Sequence, residues 1–112
     1  MKDDTVYLRH ILDAISQIEE YTVGMDQDDF MVARLVQDAV IRQFEVIGEA
    51  TKNLSSGLKE LYNHVPWKDI AGMRDKLIHQ YFGVDLSSVW ETVVHDLPPL
   101  KEGISGILAA TS

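Results

Sequence analysis

Cysteine is absent from the 112 residues of this chain, and its absence excludes several kinds of chemistry. Disulfides, thiolate nucleophiles and cysteine-based zinc sites are all ruled out, and the composition fits a reducing compartment. A membrane helix needs about 20 consecutive apolar residues, and the chain has no such run. The opening residues also lead into no signal-like apolar segment. We therefore expect a cytoplasmic protein without a membrane partner.

Familiar enzyme signatures are missing too. The sequence has no glycine-rich phosphate loop, no GxSxG and no HExxH, and its four histidines are scattered. We therefore expect neither a metal site nor a bound cofactor. His10, His64 and His95 have no motif around them, and we expect each to be a surface or partly buried structural residue.

Basic residues are few. Ten Lys and Arg against 18 Asp and Glu give a net charge of −8, which is unlike a general nucleic-acid-binding protein. Residues 1–38 carry three basic and nine acidic side chains, so residues 39–112 are close to neutral. The acidic part could attract a basic protein partner, or it could be a solvated helical surface that keeps the protein in solution.

The residues that are present predict one all-α domain over residues 1–112. Hydrophobic residues make up 46% of the chain and charged residues 25%, which is ordinary for a globular protein. Apolar residues recur at intervals of three and four, and no strand-like alternation occurs. The predicted fold is an antiparallel bundle of four to five helices.

Two long helices are predicted in the first part of the chain. A side chain among residues 3–5 can cap the first helix, which runs to about Tyr21. Asp26 or Asp28 can cap the second helix, which we expect to continue without a break over residues 29–54.

The apolar stripe of the predicted second helix is wider than one neighbouring layer can cover. Its central members are Val32, Val36, Ala39, Val40, Ile47, Ala50 and Leu54, and the residues that widen it are Leu35, Ile41, Phe44 and Val46. The surplus indicates that this helix also packs against another chain, with deep burial in a monomer as the alternative.

Shorter helices are predicted in the second part. A short amphipathic turn covers residues 58–64, and Asp85 can cap a helix that ends or bends at the two prolines 98–99. A C-terminal helix follows. Gly103 and Gly106 weaken it by about 1 kcal/mol each relative to alanine, so we expect it to depend on packing against the bundle.

One segment, PWKDIAGMRDKLIHQYFGVD, places polar groups inside a helical apolar stripe. The helix should begin at Pro66 or Trp67, and Arg74 lies in the middle of its apolar face. A buried guanidinium is costly unless an anion or several acceptors meet it. Arg74 is therefore ion-paired, at a wet interface or available to an anionic ligand. Glu45 and Glu49 are the core partners in the ion-paired alternative.

Arg74, His79 and Tyr81 follow the spacing Arg-x4-His-x-Tyr within the octet RDKLIHQY. This octet resembles the signature of HepT-like toxins, a branch of the HEPN superfamily of α-helical ribonucleases. Further similarities to that family's pattern are YLR at 7–9, AVIRQ at 39–43, IGEA at 47–50, PW at 66–67 and VW at 89–90. The resemblance spans roughly residues 5–105.

The resemblance implies a HEPN-like helical bundle that forms a homodimer, with the Arg-His motifs of two chains lining one cleft. It implies metal-independent cleavage of RNA in that cleft. It also implies a cognate minimal nucleotidyltransferase antitoxin that silences the toxin by adenylylation (AMPylation) of Tyr81.

The residue types suit this chemistry. RNA supplies its own nucleophile, the 2′-hydroxyl, so metal-free cleavage needs a proton acceptor, a proton donor and a cation for the phosphorane charge. His79 suits either proton transfer, because an imidazole has an ordinary pKa of about 6.5. Arg74 suits the third task, and Asp75 would orient a neighbouring side chain. Lys76 and Lys68 are candidate RNA-binding residues.

The spacing of Arg74 and His79 poses a geometric problem. In a regular helix the two side chains lie about 140° apart, so they cannot converge on one phosphate within an unbroken helix. Convergence requires local unwinding or a two-fold axis that brings Arg74 of one chain to His79 of the other. Two functional classes remain: a toxin ribonuclease, or a non-catalytic helical module that presents substrate or nucleotide to a partner nucleotidyltransferase.

Overall fold

The computed structural model describes residues 3–72 and 85–111, and these residues form helices and turns without a strand. The all-α fold is therefore confirmed. The helices are α1 (Asp4–Thr22), α2 (Gln27–Val32), α3 (Arg34–Lys52), α4 (Ser56–Leu61), α5 (described over residues 67–72), α6 (Leu86–Glu91) and α7 (Leu97–Thr111). A π-helical turn, Thr92–Asp96, joins α6 to α7. Among these described helices, none is both long and apolar enough to cross a membrane.

Helix α1 is the centre of the bundle and packs against α3 and α7. Its N-cap is Asp3, as predicted, and the carboxylate accepts the backbone N–H of Thr5. The buried face of α1 consists of Leu8, Ile11, Ala14, Ile15 and Ile18. The Asp4 carboxylate accepts the N–H of Ser55 at 2.8 Å and its hydroxyl at 2.6 Å, which ties the start of α1 to the start of α4.

The predicted unbroken helix over residues 29–54 is wrong. Asp26 caps α2 with a reciprocal capping box to Asp29, but α2 ends at Ala33, whose φ of −99° and ψ of 79° are not helical. The side-chain amide of Gln37, in the first turns of α3, donates to the carbonyl oxygen of Phe30 at 2.9 Å. This bond across the break satisfies a carbonyl at the end of α2 and lets Phe30 be fully buried.

The inner face of α3 also differs from the prediction. Its buried residues are Gln37, Val40, Phe44, Ile47, Gly48, Ala50 and Thr51. Phe44, predicted to widen the stripe, is 1% exposed and lies in the core, whereas Leu35 is 87% exposed and Val32 is 82% exposed. The break at Ala33 explains the difference for Val32, because α2 and α3 no longer share one helical register.

Residues 86–111 form one continuous helical path. Asp85 caps α6 as predicted, by accepting the N–H groups of Ser87 and Ser88. The predicted end of the helix at the prolines 98–99 is wrong, because both lie in the first turn of α7 and the chain stays helical through them; the predicted bend there stays a prediction. Proline is tolerated there, and the π-helical turn just before it changes the register of the backbone hydrogen bonds. Trp90 of α6 packs on Phe30, with ring centroids 5.2 Å apart.

Candidate functional site

The motif residues of the predicted site lie outside the described residues: Arg74, Asp75, Lys76, His79 and Tyr81. Their predicted roles therefore stay predictions. Lys68, the other predicted RNA-binding residue, is exposed on α5.

Lys68 lines a cavity of about 1240 Å³. Its described walls come from two stretches of chain, residues 64–72 and residues 85–103, together with Phe44 of α3. The ionisable side chains of this lining are His64, Lys68, Asp69, Asp85, His95 and Asp96. Buried apolar residues, among them Ile70 and Val89, complete the walls. A concave apolar surface with a few polar groups is the usual form of a binding site.

The first wall is held in place by the start of α5. Pro66 precedes the helix, and Trp67, its first residue, is 7% exposed and donates its indole N–H to the carbonyl oxygen of Tyr62 at 3.0 Å. Ile70 is buried on the same side of the helix. Because Trp67 and Ile70 face the core, the intervening Lys68 is directed towards solvent at the cavity wall.

The second wall is held in place by α6 and the π-helical turn. Three donors, among them the hydroxyl of Ser88, meet the Asp85 carboxylate and fix the start of α6. In the π-helical turn, His95 Nε2 lies 3.1 Å from Glu91 Oε2, and the two side chains are 68% and 60% exposed. Such an exposed pair contributes little to stability, but it orients the imidazole. Single π-turns inside helices are frequent at functional sites.

The charges of the cavity lining oppose an anionic ligand. One lysine, Lys68, faces three aspartates, Asp69, Asp85 and Asp96, so the formal charge of these four side chains is −2. Protonation of His64 and His95 would bring the described lining to neutrality. In the described part of the lining, His64 and His95 are the side chains besides Lys68 that can carry positive charge.

No sequence pattern indicates that His64 and His95 belong to a site. They are exposed, as predicted, but they line the same cavity as Lys68. Their separation in sequence matches no motif, and the π-helical turn that carries His95 has no known sequence pattern here. The two prolines after it lack the N–H groups of a regular helix, but they do not point to His95, and Leu97 before them has ordinary helical dihedrals.

A smaller groove of about 310 Å³ lies between α1 and α3. Tyr7, His10, Arg42, Glu45 and Glu49 contribute to its lining, and Arg42 contacts Glu45 at 3.4 Å. The Glu45 side chain is 30% exposed and Glu49 is exposed, so neither carboxylate is in the core. Because Arg74 lies outside the described residues, its ion pair with Glu45 or Glu49, the structural alternative, stays a prediction.

A family comparison identifies the class of protein. The model of the family described as "Ribonuclease HepT-like" matches residues 11–107, which is most of the chain. The chain therefore belongs to the HepT-like ribonuclease family. The predicted family is confirmed, and with it the predicted enzyme class, a ribonuclease.

Individual relatives agree with this assignment. The chain is 55% identical over 107 residues to a protein of Methanocaldococcus jannaschii named "Gamma-glutamylcyclotransferase and putative RNase", covering 96% of this chain and 48% of that protein. It thus spans about half the length of this relative. A "Putative RNase" of Caldanaerobacter subterraneus subsp. tengcongensis is 44% identical over 108 residues, with 96% of both chains covered. A "Probable ribonuclease HepT" of Thermococcus cleftensis is 50% identical over 95 residues, with 85% of this chain and 86% of that protein covered. No solved structure matches the chain.

Proposed function

We propose that this protein is a metal-independent endoribonuclease and the toxin of a toxin-antitoxin pair. The observation that carries the proposal is the family match over residues 11–107, which includes the Arg-x4-His-x-Tyr motif of this sequence. In the proposed reaction the 2′-hydroxyl of RNA gives up its proton and attacks the adjacent phosphorus, the bond from phosphorus to the 5′-oxygen of the next nucleotide breaks, and this leaving oxygen takes up a proton. His79 accepts the first of these protons or donates the second. Arg74 stabilises the charge of the phosphorane, and Asp75 orients a neighbouring side chain.

The active site of this proposal lies in a cleft between two copies of the chain. A two-fold axis would let Arg74 of one copy approach His79 of the other, which removes the problem of their 140° separation on one helix. The apolar side chains of Val32 and Leu35, more than 80% exposed in the single chain, support association with a second copy.

The silencing reaction of the proposal is adenylylation of Tyr81 by a cognate minimal nucleotidyltransferase. A phenol is a poor nucleophile unaided, so the partner enzyme must supply the metal and the base that transfer AMP to it. On a helix Tyr81 lies about 20° from Arg74, so the new phosphodiester could pair with the guanidinium while the adenosine fills the cleft. Inhibition would then be both electrostatic and steric.

Cleavage of RNA by the purified protein in the presence of a chelator tests the nuclease. Wild type should cleave, and His79→Ala and Arg74→Ala should not, while their helical circular dichroism stays unchanged. His10→Ala is the matched control, because His10 is exposed on α1 and lines the other groove. Full activity of His79→Ala would contradict the assignment, and loss of fold in Arg74→Ala would favour a structural role for that residue.

Mass spectrometry after incubation with the partner enzyme, ATP and magnesium tests the silencing reaction. Wild type should gain AMP-sized additions that Tyr81→Phe lacks, and Tyr81→Phe should stay toxic when the partner is co-expressed. Tyr62→Phe is the matched control. Neutralisation of the Tyr81→Phe protein would mean that the antitoxin acts by binding alone.

Sedimentation at micromolar concentration tests the dimer. Wild type should sediment as a dimer, and Leu35→Ser should weaken association more than Leu61→Ser, whose side chain is 74% exposed on α4. A stable, well-folded wild-type monomer would contradict both arguments for the dimer.

A second candidate function draws support from the acidic cavity lining. A formal charge of −2 around Lys68 disfavours RNA, and this would suit a non-catalytic helical module that presents substrate or nucleotide to a partner nucleotidyltransferase. The chelator experiment separates the two functions, because such a module would not cleave RNA.

A further inference from the structure

The cavity brings together two histidines and a lysine that the motif chemistry does not use. His64 precedes α5, Lys68 lies on α5, and His95 lies on the π-helical turn. All three line the one cavity of about 1240 Å³, although His95 comes from a different stretch of the chain from His64 and Lys68.

We propose that His64, Lys68 and His95 form the surface that binds RNA phosphates, and that the two imidazoles bind as cations. This inference rests on the proposed ribonuclease function and adds to it the residues that hold the substrate. Together the three side chains are the phosphate-binding triad of the cavity. An imidazolium donates from both ring nitrogens, so His95 can keep its contact with Glu91 and still donate to a phosphate oxygen.

The acidic groups that face this triad explain why the imidazoles must be charged. Asp69 lies beside Lys68 on α5, Asp85 and Asp96 lie on the opposite stretch of the lining, and Glu91 contacts His95. The Asp85 carboxylate also accepts hydrogen bonds from the N–H groups at the start of α6. With neutral imidazoles the described part of the lining therefore carries more negative than positive formal charge.

The π-helical turn gives His95 its place in the triad. In a regular α-helix successive residues turn by 100°, and a π-turn widens the helix so that side chains after it shift around the axis. One residue after this turn come Pro98 and Pro99, whose rings fix φ in the first turn of α7. His95 thus lies on a defined backbone, which reduces the entropy lost when it binds a ligand.

RNA should therefore bind more tightly as the pH falls from about 8 to about 6, the range in which histidine side chains change charge. Each phosphate contact that is lost should reduce the dependence of log K on log salt by about 0.7 for a single strand. An exposed charge contact of this kind should change affinity by up to roughly fivefold.

The test is fluorescence anisotropy with a short single-stranded 2′-O-methyl RNA, which has phosphates but no 2′-hydroxyl nucleophile and so binds without being cleaved. Wild type, His95→Gln, Lys68→Gln and His64→Gln are titrated near pH 6 and near pH 8 over a range of salt. His10→Gln is the matched control, since His10 is an exposed histidine outside this cavity.

At the lower pH, His95→Gln and His64→Gln should each bind up to roughly fivefold more weakly than wild type, with a salt slope smaller by about 0.7. At the higher pH these two variants should match wild type, whereas Lys68→Gln should bind more weakly at both. Equal affinity of His95→Gln and His10→Gln at the lower pH would overturn the inference. If wild type cleaves ordinary RNA and yet shows no such differences, the ribonuclease stands and the triad fails. Wild type that neither cleaves nor binds RNA would contradict the proposed function itself.

Discussion

Replacement of Phe44 by alanine tests which face of α3 is buried in the bundle. The Phe44 side chain is 1% exposed, on the face of α3 that packs against α1. Truncation of a buried phenylalanine costs about 3–5 kcal/mol, from lost transfer free energy and from the void left behind. A chain of this length has about 6–17 kcal/mol of total stability at 0.05–0.15 kcal/mol per residue. Phe44→Ala should therefore remove a large part of the free energy of unfolding.

The void that the truncation of Phe44 creates can be filled. Phe44 also lines the cavity of about 1240 Å³, so neighbouring side chains or water can move into the space that the ring leaves. Sites that relax in this way fall at the lower end of the range for such substitutions. We therefore expect a loss of about 3 kcal/mol, measured by urea denaturation followed by far-ultraviolet circular dichroism.

Leu35→Ala is the matched control, because Leu35 lies on the same helix and is 87% exposed. Surface substitutions of this kind usually change stability by less than about 0.5 kcal/mol. If the protein dimerises through this residue, the effect of Leu35→Ala should depend on protein concentration, whereas that of Phe44→Ala should persist at the lowest concentration. Similar losses for the two variants, both independent of concentration, would refute the orientation of α3.

Two further predictions concern helix ends. Gln37→Met should lower the free energy of unfolding, measured by urea denaturation, by about 0.5–1.5 kcal/mol, because it removes the 2.9 Å hydrogen bond to the Phe30 carbonyl oxygen. That oxygen still accepts the N–H of Ala33, so the substitution leaves no buried carbonyl without a partner. A loss above about 3 kcal/mol would contradict this, since it would indicate a wider role for the side chain. The hydrogen bonds from Thr5, side chain first and then backbone, hold the pKa of Asp3 below its ordinary value of 3.8. A lowered pKa stabilises the fold above the ordinary value, and that contribution is lost as the pH falls through the folded-state value. Asp3→Asn keeps a capping side chain without the charge, so its stability difference from wild type should shrink on acidification in the same assay. A difference that is constant from neutral to strongly acid pH would contradict the capping argument.

Helix starts could be predicted from the sequence because each depends on local chemistry. Asp3, Asp26 and Asp85 are N-caps whose carboxylates accept backbone N–H groups two or three residues later. The break at Ala33 has no such local signal, since alanine favours helix. The break arises because α2 and α3 pack on different partners. Phe30 of α2 packs against Trp90, whereas α3 packs against α1. Long-range packing of this kind cannot be read from periodicity.

Only the part of the candidate site that is contiguous in sequence could be predicted. The motif around Arg74 and His79 is contiguous in sequence, so a resemblance could find it. The cavity of the phosphate-binding triad is assembled from residues 64–72 and 85–103, and no short motif spans that separation. His95 in particular lies on the π-helical turn, which has no sequence signal of its own. Sequence reasoning therefore predicts surface or partly buried structural positions for His64 and His95; both are exposed, and the cavity that they share is missed.

The acidity of the chain makes the salt dependence of RNA cleavage an informative measurement. The whole molecule measures 42 × 29 × 22 Å. At about 0.01 M salt the Debye length is about 30 Å, so RNA approaching the cavity is repelled by the full net charge of −8. At about 0.15 M it is about 8 Å, and acidic side chains at the far side of the molecule no longer act on RNA in the cavity.

Higher salt still weakens the phosphate contacts themselves, because fewer counterions are released when RNA binds. The two effects have opposite signs, so kcat/KM should rise and then fall as salt increases. Steady-state cleavage of a short RNA over this range measures it. Neutralising acids outside the described lining, as in Asp13→Asn and Glu20→Gln, both exposed on α1, should flatten the rising part and leave the falling part unchanged. If kcat/KM instead falls steadily from the lowest salt, as in an ordinary basic nuclease, the local charge of the binding surface outweighs the net charge of −8 at every distance. The charge balance of the cavity lining would then be wrong.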